Sequence, residues 1–341
     1  IDGIGDFSNM NQSNKIKIAI LDDYQNEALN FGEWSSLPSN VDITVFNIGM
    51  ENDTDFINKL LPFEILVTMR ERTWFTKSTL EKLTNLRLIA ATGGRQSNID
   101  IEAATKLGIT ICNTASPGHS TAELTWALIL SLTRNIALED KNLRAGIWQT
   151  SIGFGLDGKK LGIIGLGRVG KDVAKVAPLF DMDLLVWSPN MTQKRADEYQ
   201  AKSVSKDALF SNSDIISIHI PLNKSSKGII KKRELSLMKS DAYLINTSRG
   251  PIVNENDLIE ALQTGMLAGA ALDVFDDETL DKNHPFTSME NTLLTPHLGY
   301  VTAENYDVFY GTCVKNIQAY LKGTPINVMN PDSLPADSND K

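Results

Sequence analysis

Three short segments in the C-terminal part of the chain place charged side chains where a β-branched run gives way to a loop. They are Asn246-Thr-Ser-Arg-Gly250, Asp273-Val-Phe-Asp-Asp-Glu278 and Thr295-Pro-His-Leu-Gly299. A guanidinium fork can grip a carboxylate and polarise a carbonyl. An imidazole can give that carbonyl oxygen a proton near neutral pH, and a carboxylate beside the imidazole keeps it charged. Arg249, His297 and Glu278 therefore suit the reduction of a 2-oxo acid, which needs a cation, a proton donor and a partner for that donor. Each residue also has a plainer reading. His297 could be a satisfied core or capping histidine, Arg249 a loop cation, and Glu278 a member of the solvated acidic run Asp276-Asp-Glu-Thr-Leu-Asp281. Taken singly, none defines a site.

Such residues need strand ends to hold them, and the chain supplies a regular series. Strands are expected at Leu161 to Ile164, Leu184 to Trp187, Ile215 to Ile218, Tyr243 to Ile245 and Ala268 to Leu272, with helical stretches between them. That rhythm specifies a parallel sheet with crossover helices, and ligands bind at the carboxyl ends of such strands. The first of these strands runs directly into Gly165-x-Gly167-x-x-Gly170 and then a helix. In this context the glycines allow a tight turn, a close approach of a pyrophosphate and close helix packing, while the helix N-terminus favours the negative charge. The alternative is a strand-turn-helix whose glycines serve packing alone.

About twenty residues further on, an NAD-selective site normally carries a carboxylate for the adenosine ribose. Here the segment is Trp187-Ser-Pro-Asn190, followed by Thr192, Lys194 and Arg195. A neutral Ser188 with Asn190 beside it removes repulsion toward a 2'-phosphate, so NADP(H) is favoured over NAD(H). Lys194 and Arg195 could equally be the solvated face of the next helix.

The 341 residues suit two domains. A composition of 42% hydrophobic and 22% charged residues is that of a globular protein. The net charge of -9 gives no general attraction to nucleic acid or to anionic membranes. Cys112 and Cys313 form neither a metal-spaced cluster nor a disulfide framework, which points to small core residues in a reducing, cytoplasmic setting without a metal site. The most apolar stretch, Trp126 to Leu132, is far shorter than the ~20 residues of a membrane span. Residues 1–9 lack the features of a signal peptide and are expected to be a cloning remnant preceding a natural start at Met10.

An earlier alternating series begins with Ile16, Ile18 and Ile20 and continues through Ile43 to Phe46, Ile65 to Val67 and Leu88 to Ala91. Helices are expected at Lys77 to Leu83 and at Asp100 to Leu107, the latter stopped by Gly108. One α/β lobe ends near Asn113. A single long helix is expected from Ser120 to about Leu143, bridging two lobes, and a last helix over Ala303 to Leu321. The polar tail from Pro331 to Lys341 is expected to be mobile.

Together these segments resemble the D-isomer-specific 2-hydroxyacid dehydrogenase family over nearly the whole chain. The matching elements are the glycine loop, Ser213-Asp-Ile-Ile-Ser-Ile-His-Ile-Pro-Leu222, Leu244-Ile-Asn-Thr-Ser-Arg-Gly-Pro-Ile-Val253, Ala271-Leu-Asp-Val-Phe275 with Glu278, and Leu294-Thr-Pro-His297. The resemblance implies catalysis by Arg249, Glu278 and His297, and a nicotinamide contact at Asp273. It implies dinucleotide binding by Gly165, Gly167, Arg168, Val169, Gly170, Ser188, Asn190, Pro221 and Thr247. The implied fold is α/β, with two Rossmann-like doubly wound parallel-sheet domains and a cleft between them that closes over the substrate. Residues 10–115 plus 300–330 would form a discontinuous substrate (catalytic) domain and 116–299 the dinucleotide-binding domain, with disordered or appended ends at 1–9 and 331–341.

Family members surround the substrate carboxylate with amides of a glycine-containing loop, here Ala91 to Asn98 with Gly93 and Gly94. Arg95 stands where many members have glycine, a departure that resembles a less characterised subgroup. Arg70 and Arg72, in Met69-Arg-Glu-Arg-Thr73, could bind a second anionic group of the substrate, or belong to a surface loop of mixed charge. The expectation is thus an NAD(P)-dependent D-2-hydroxyacid dehydrogenase acting on a small 2-oxo or 2-hydroxy acid as a homodimer. Phosphite dehydrogenases resemble it as an alternative; formate-oxidising relatives carry Gln where this chain has Glu278. A dinucleotide-sensing, co-repressor-like binding protein is the rival from another class.

Overall fold

The computed structural model describes residues 15–49, 55–116 and 118–334. The expectations for residues 1–9 and for the last part of the tail lie outside the described residues. The chain divides into two compact units, one made of residues up to 118 together with those from 302 onward, the other of residues 119–301.

The first unit is built on β1 (Ile16–Ile20), β2 (Val41–Val45), β3 (Ile65–Thr68), β4 (Leu88–Ala91) and β5 (Thr110–Cys112), with helices α1 (Phe56–Leu60), α2 (Lys77–Leu80) and α3 (Ile101–Lys106). Its sheet is wholly parallel in the order β2-β1-β3-β4-β5. This doubly wound order follows from right-handed crossovers and leaves a switch point between β1 and β3. Strands β3 and β4 are buried at every position, which is why they are continuous apolar runs in sequence rather than alternating ones. Asp100 caps α3 by accepting the Ala103 amide at 2.9 Å, and Gly108 ends it at φ 70°.

The same unit receives α12 (Ala303–Leu321), started by Thr302 as N-cap. This helix buries Tyr306, Phe309, Tyr310, Cys313, Val314, Ile317 and Tyr320. Cys112 and Cys313 are free and buried, as expected. Pro331–Ser333, expected to begin a mobile tail, instead forms a 3-10 turn. The reason is Asn330, which accepts the Ile111 amide at 2.8 Å and donates to the Ile109 carbonyl at 2.9 Å.

The second unit contains β6 (Lys160–Ile164), β7 (Asp183–Trp187), β8 (Ala201–Ser203), β9 (Ile215–Ile218), β10 (Tyr243–Asn246), β11 (Gly269–Leu272) and β12 (Thr292–Leu294). Its helices are α4 (Ser120–Thr133), α5 (Ile136–Arg144), α6 (Arg168–Val176), α7 (Gln193–Asp197), α8 (Lys206–Asn212), α9 (Lys232–Leu235), α10 (Glu255–Gln263) and α11 (Pro285–Ser288). The sheet is parallel throughout in the order β12-β11-β10-β9-β6-β7-β8, which is the dinucleotide-fold order with one strand added. Side chains alternate between its faces with period two. Leu161, Ile163, Ile215, Ile245 and Ala271 pack on one side, and Ile164, Ile216, Ile218, Leu244 and Leu272 on the other.

The expected single helix over 120–143 is two helices. Asn135 adopts φ 53°, and the Thr133 carbonyl accepts the amide of Phe154 at 3.0 Å rather than one from its own helix. A Cβ on Gly153 would lie 2.5 Å from that carbonyl oxygen, so the returning chain and the break form together. Strands β5, β8 and β12 were not anticipated; each has three residues. Among the described residues no helix is long and apolar enough to cross a membrane.

Candidate active site

Strands β6 and β9 are neighbours although not consecutive, so the sheet's winding reverses between them, and the glycine loop leaves the carboxyl end of β6 at that point. Gly165 takes φ 94° and donates its amide to the Trp187 carbonyl at 2.8 Å. A Cβ there would sit 2.6 Å from Ile220 Cγ2, and one on Gly170 would sit 2.0 Å from the Gly165 oxygen. At Gly167, the N-cap of α6, a Cβ would meet nothing within 4 Å. The loop is thus packed hard against the sheet at its two ends and open in the middle, with the first amides of α6 beside the opening. That arrangement fits the pyrophosphate of a dinucleotide. Arg168 is exposed and Val169 half-buried at the same helix start. His219, against both glycines, shares a 2.8 Å hydrogen bond with Ser217 through Nε2, and burial pushes its pKa down to about 3, so it is a neutral wall.

Half-buried Ser188 and exposed Asn190 follow β7 directly. Arg195, on α7 behind the Thr192 cap, extends Nη2 to 3.4 Å from the Leu166 carbonyl of the glycine loop. Arg195 and Lys194 are both exposed all the same, so this contact leaves the side chain of Arg195 open to solvent. Pro221 is exposed. Thr247 is buried and its hydroxyl pairs with that of Thr125 at 2.9 Å, which ties the end of β10 to α4.

Arg249, Glu278 and His297 follow β10, β11 and β12, three adjacent strands. Glu278 Oε2 lies 2.6 Å from His297 Nδ1. A carboxylate oxygen can only accept here, so Nδ1 carries the hydrogen and Nε2 is left as the atom that gains or loses a proton. Nε2 has no hydrogen-bond partner among the described residues. The two side chains are 16% and 29% exposed for His297 and Glu278, shielded yet reachable. Tyr300 meets the imidazole edge-on with centroids 5.3 Å apart. It lies three residues after His297, and nothing in its sequence context had marked it.

His297 stands at φ 54°, a conformation that non-glycine residues seldom adopt and that clusters at functional sites. Asp273 holds the turn in place. Its Oδ1 accepts Thr295 Oγ1 at 2.6 Å and the Leu298 amide at 2.7 Å, and its Oδ2 accepts the Gly299 amide at 2.9 Å. Burial pushes this carboxyl above its ordinary range, opposed by the Thr295 hydroxyl, by nearby His297 and by the two amides. Arg249 is half-buried, with Nη1 2.7 Å from the Ser248 carbonyl. Gly250 lets its loop touch the next one, since a Cβ there would fall 2.1 Å from the Phe275 backbone. No cluster of three or more potential metal ligands exists among the described residues.

In the first unit Arg70, at φ 54°, lies against Gly93, where a Cβ would fall 1.9 Å from the Arg70 Nη1. Its guanidinium carbon is 6.0 Å from the centroid of Phe309. Arg72 is buried, with Nη1 donating to the Asp22 carbonyl at 2.9 Å and the guanidinium 4.4 Å from the Tyr24 ring centroid. The Gly93 amide is likewise used internally, by Thr114 Oγ1 at 2.8 Å. Gly94 and Arg95 are exposed, their amides have no acceptor among the described residues, and Gln96 pins the loop by donating to the Thr92 and Gly93 carbonyls.

Comparison with known proteins agrees with this geometry. Residues 126–299 match the family model described as D-isomer specific 2-hydroxyacid dehydrogenase, NAD binding domain. A glyoxylate reductase of Thermococcus litoralis is 41% identical over 271 residues, covering 76% of this chain and 81% of that protein. A D-3-phosphoglycerate dehydrogenase of Archaeoglobus fulgidus is 33% identical over 94% of this chain and 61% of its own length. The crystal structure of a phosphoglycerate oxidoreductase from Vibrio cholerae superposes with a TM-score of 0.86 at 36% identity, covering 90% of this chain and 99% of that one. With a glycine loop at the sheet's switch point and an Arg, Glu and His on adjacent strand ends, the chain belongs to the D-isomer specific 2-hydroxyacid dehydrogenase family.

Proposed function

We propose that this protein is an NADP(H)-dependent reductase of small 2-oxo acids, producing D-2-hydroxy acids, with His297 as the general acid and base. The observation that carries the reading is the 2.6 Å pair between Glu278 Oε2 and His297 Nδ1, which leaves Nε2 as the exchangeable site. The second unit is the dinucleotide domain, held at the glycine loop and the start of α6; a bound nicotinamide supplies or accepts the hydride. His297 Nε2 delivers the proton to the carbonyl oxygen, Glu278 stabilises the resulting charge, and Arg249 grips the carboxylate and polarises the carbonyl. Oxidation follows the same path in reverse. The first unit is the substrate domain, a role supported by the amides of Gly94 and Arg95, which have no acceptor among the described residues.

The preference for the phosphorylated dinucleotide is supported by Ser188, which brings no charge, and by Arg195, whose guanidinium lies at the glycine loop. A homodimer is supported by the apolar surface of α5 and the chain after it, where Ile136, Leu138, Leu143, Ile147, Trp148 and Ile152 are all exposed. A sedimentation mass near that of one 37.6 kDa chain would contradict the dimer. The buried free thiols support a reducing, cytoplasmic setting.

The test of the reaction follows reduced-cofactor absorbance with glyoxylate and hydroxypyruvate, NADPH and NADH in parallel, and His297→Asn as control. Turnover that depends on His297 is expected. Dinucleotide binding with no turnover on any 2-oxo acid would overturn the reading.

A further inference from the structure

Glu278 is carried on an irregular segment between β11 and α11, and both ends of that segment reach one carboxylate. Glu255, the first residue of α10, accepts the Asp276 backbone amide through Oε2 at 3.2 Å and meets His284 Nε2 through Oε1 at 3.0 Å. An acidic residue in this position ordinarily serves the amides of its own helix. In α10 that service is done by Asn254, whose side chain accepts the Asp257 amide at 3.0 Å, so both oxygens of Glu255 are available to another part of the chain.

The state of His284 is fixed by its second nitrogen. The Phe286 amide donates to His284 Nδ1 at 3.3 Å, so Nδ1 is the acceptor and Nε2 bears the hydrogen given to Glu255. The ring also lies 4.9 Å from buried Phe286, which in turn lies 6.4 Å from Phe275, just after Asp273. The groups facing the Glu255 carboxylate are His284 and Asp276, with Asp277 and Lys227 acting in turn on Asp276. Between the two ties Leu280 packs against the core, while Glu278 reaches His297. Glu255 and His284 are 21% and 19% exposed, enough enclosure for these bonds to resist competition from water.

We propose that Glu255, with His284, is a positioning residue for the acid–base pair, closing the segment Asp276–His284 so that Glu278 meets His297 Nδ1. This rests on the assignment of Glu278 and His297 to proton transfer. Neither Glu255 nor His284 is given any contact with substrate; they act through Glu278.

The experiment combines a double-mutant cycle with a spectroscopic probe. Glu255→Gln keeps the shape but offers one acceptor oxygen to two donors, so one tie is lost. His284→Asn attacks the same closure from the other side and serves if Glu255→Gln is unstable. The probes are glyoxylate with NADPH for turnover and, in substrate-free protein, the downfield proton resonance of the His297 Nδ1–H, assigned with His297→Asn. Misplacement by about 1 Å at a reacting group can cost ~100-fold, and a loosened segment is expected to cost roughly tenfold in kcat with the KM for NADPH unchanged. The resonance should move toward its position in Glu278→Gln, and Glu255→Gln/Glu278→Gln should be no slower than Glu278→Gln alone.

A resonance that stays put in both single variants, or full additivity in the cycle, overturns the proposal. Should wild-type protein turn over no 2-oxo acid while Glu255→Gln still displaces the resonance, the positioning role stands and only the assigned reaction falls.

Discussion

The backbone amide of Leu298 points at Asp273 Oδ1 from 2.7 Å, so the residue immediately after His297 is anchored to a carboxylate at the end of the neighbouring strand. Family resemblance assigns Asp273 to the nicotinamide; in this structure its oxygens also accept from Thr295, Leu298 and Gly299, with one of these three bonds on Oδ2. The aspartate shapes the left-handed turn that aims the histidine. Asp273→Asn keeps Oδ1 but sets an amide NH2 against the Gly299 N–H. A buried donor left unsatisfied costs about 1–3 kcal/mol, so urea unfolding should show a loss of that size together with reduced kcat. Stability equal to wild type would show that the turn does not depend on this carboxylate.

The three glycines of the nucleotide loop should separate by function. Gly170→Ala forces a Cβ to 2.0 Å from the Gly165 oxygen and should lower Tm, whereas Gly167→Ala meets nothing and should leave Tm near wild type. Both should weaken NADPH binding, the first by distorting the loop and the second by filling the place where a pyrophosphate fits. Fluorescence titration beside thermal unfolding distinguishes them. Full NADPH affinity in Gly167→Ala would remove the loop from the binding site.

Cofactor choice is expected to turn on Ser188 and Arg195. Charge-assisted hydrogen bonds are worth about 1.5–3 kcal/mol, so Arg195→Ala should cut kcat/KM for NADPH by roughly 10- to 100-fold and barely touch NADH. Ser188→Asp should move the ratio the same way by repelling the 2'-phosphate. Equal losses with both dinucleotides would show that Arg195 supports the loop through Leu166 without reading the phosphate.

Acid sensitivity of the second unit can be assigned a sign. Burial alone would raise Asp214, but Lys239 Nζ at 2.8 Å and the Lys160 amide at 2.7 Å hold it below its ordinary 3.8. Burial opposes the same shift in Glu234, which Lys206, the Lys231 amide and Arg233 hold below 4.5. Folded-state values below the unfolded ones mean that the unfolded chain binds the extra protons. The stabilisation is therefore complete above the ordinary carboxylate range and is lost as pH falls through the depressed values. Asp214→Asn should lower Tm at pH 7, and its curve should converge with wild type below about pH 3.8. A constant gap across that range would locate the effect in packing rather than charge.

What could be read from the chain depended on whether the cause was local. Leu88–Ala91 was legible to the residue because a strand buried on both faces must be apolar throughout. The glycine loop was legible because a tight turn admits few residue types, and the segments that hold Arg249, Glu278 and His297 because each follows a strand of the sheet. Strands β5, β8 and β12 were not, since three residues carry no usable period and exist through pairing with distant partners. The break at Asn135 is imposed by Phe154, nineteen residues later, and the burial of Arg72 by Asp22 and Tyr24, about fifty residues earlier. Arg195 reaching Leu166 and Glu255 holding His284 are likewise facts of tertiary folding. Side-chain direction across such separations has no signature in a single sequence.

The first unit is assembled from two stretches that flank the whole of the second, and this bears on how the chain comes to fold. During synthesis the strands β1 to β5 emerge early, but α12, which brings Phe309, Tyr310, Cys313 and Ile317 into that unit's interior, emerges only after residues 119–301. The nucleotide-binding unit can complete its sheet while the earlier one still waits with an uncovered apolar face. All the strands and helices of the second unit are thus made before α12, the helix whose apolar residues the first unit buries.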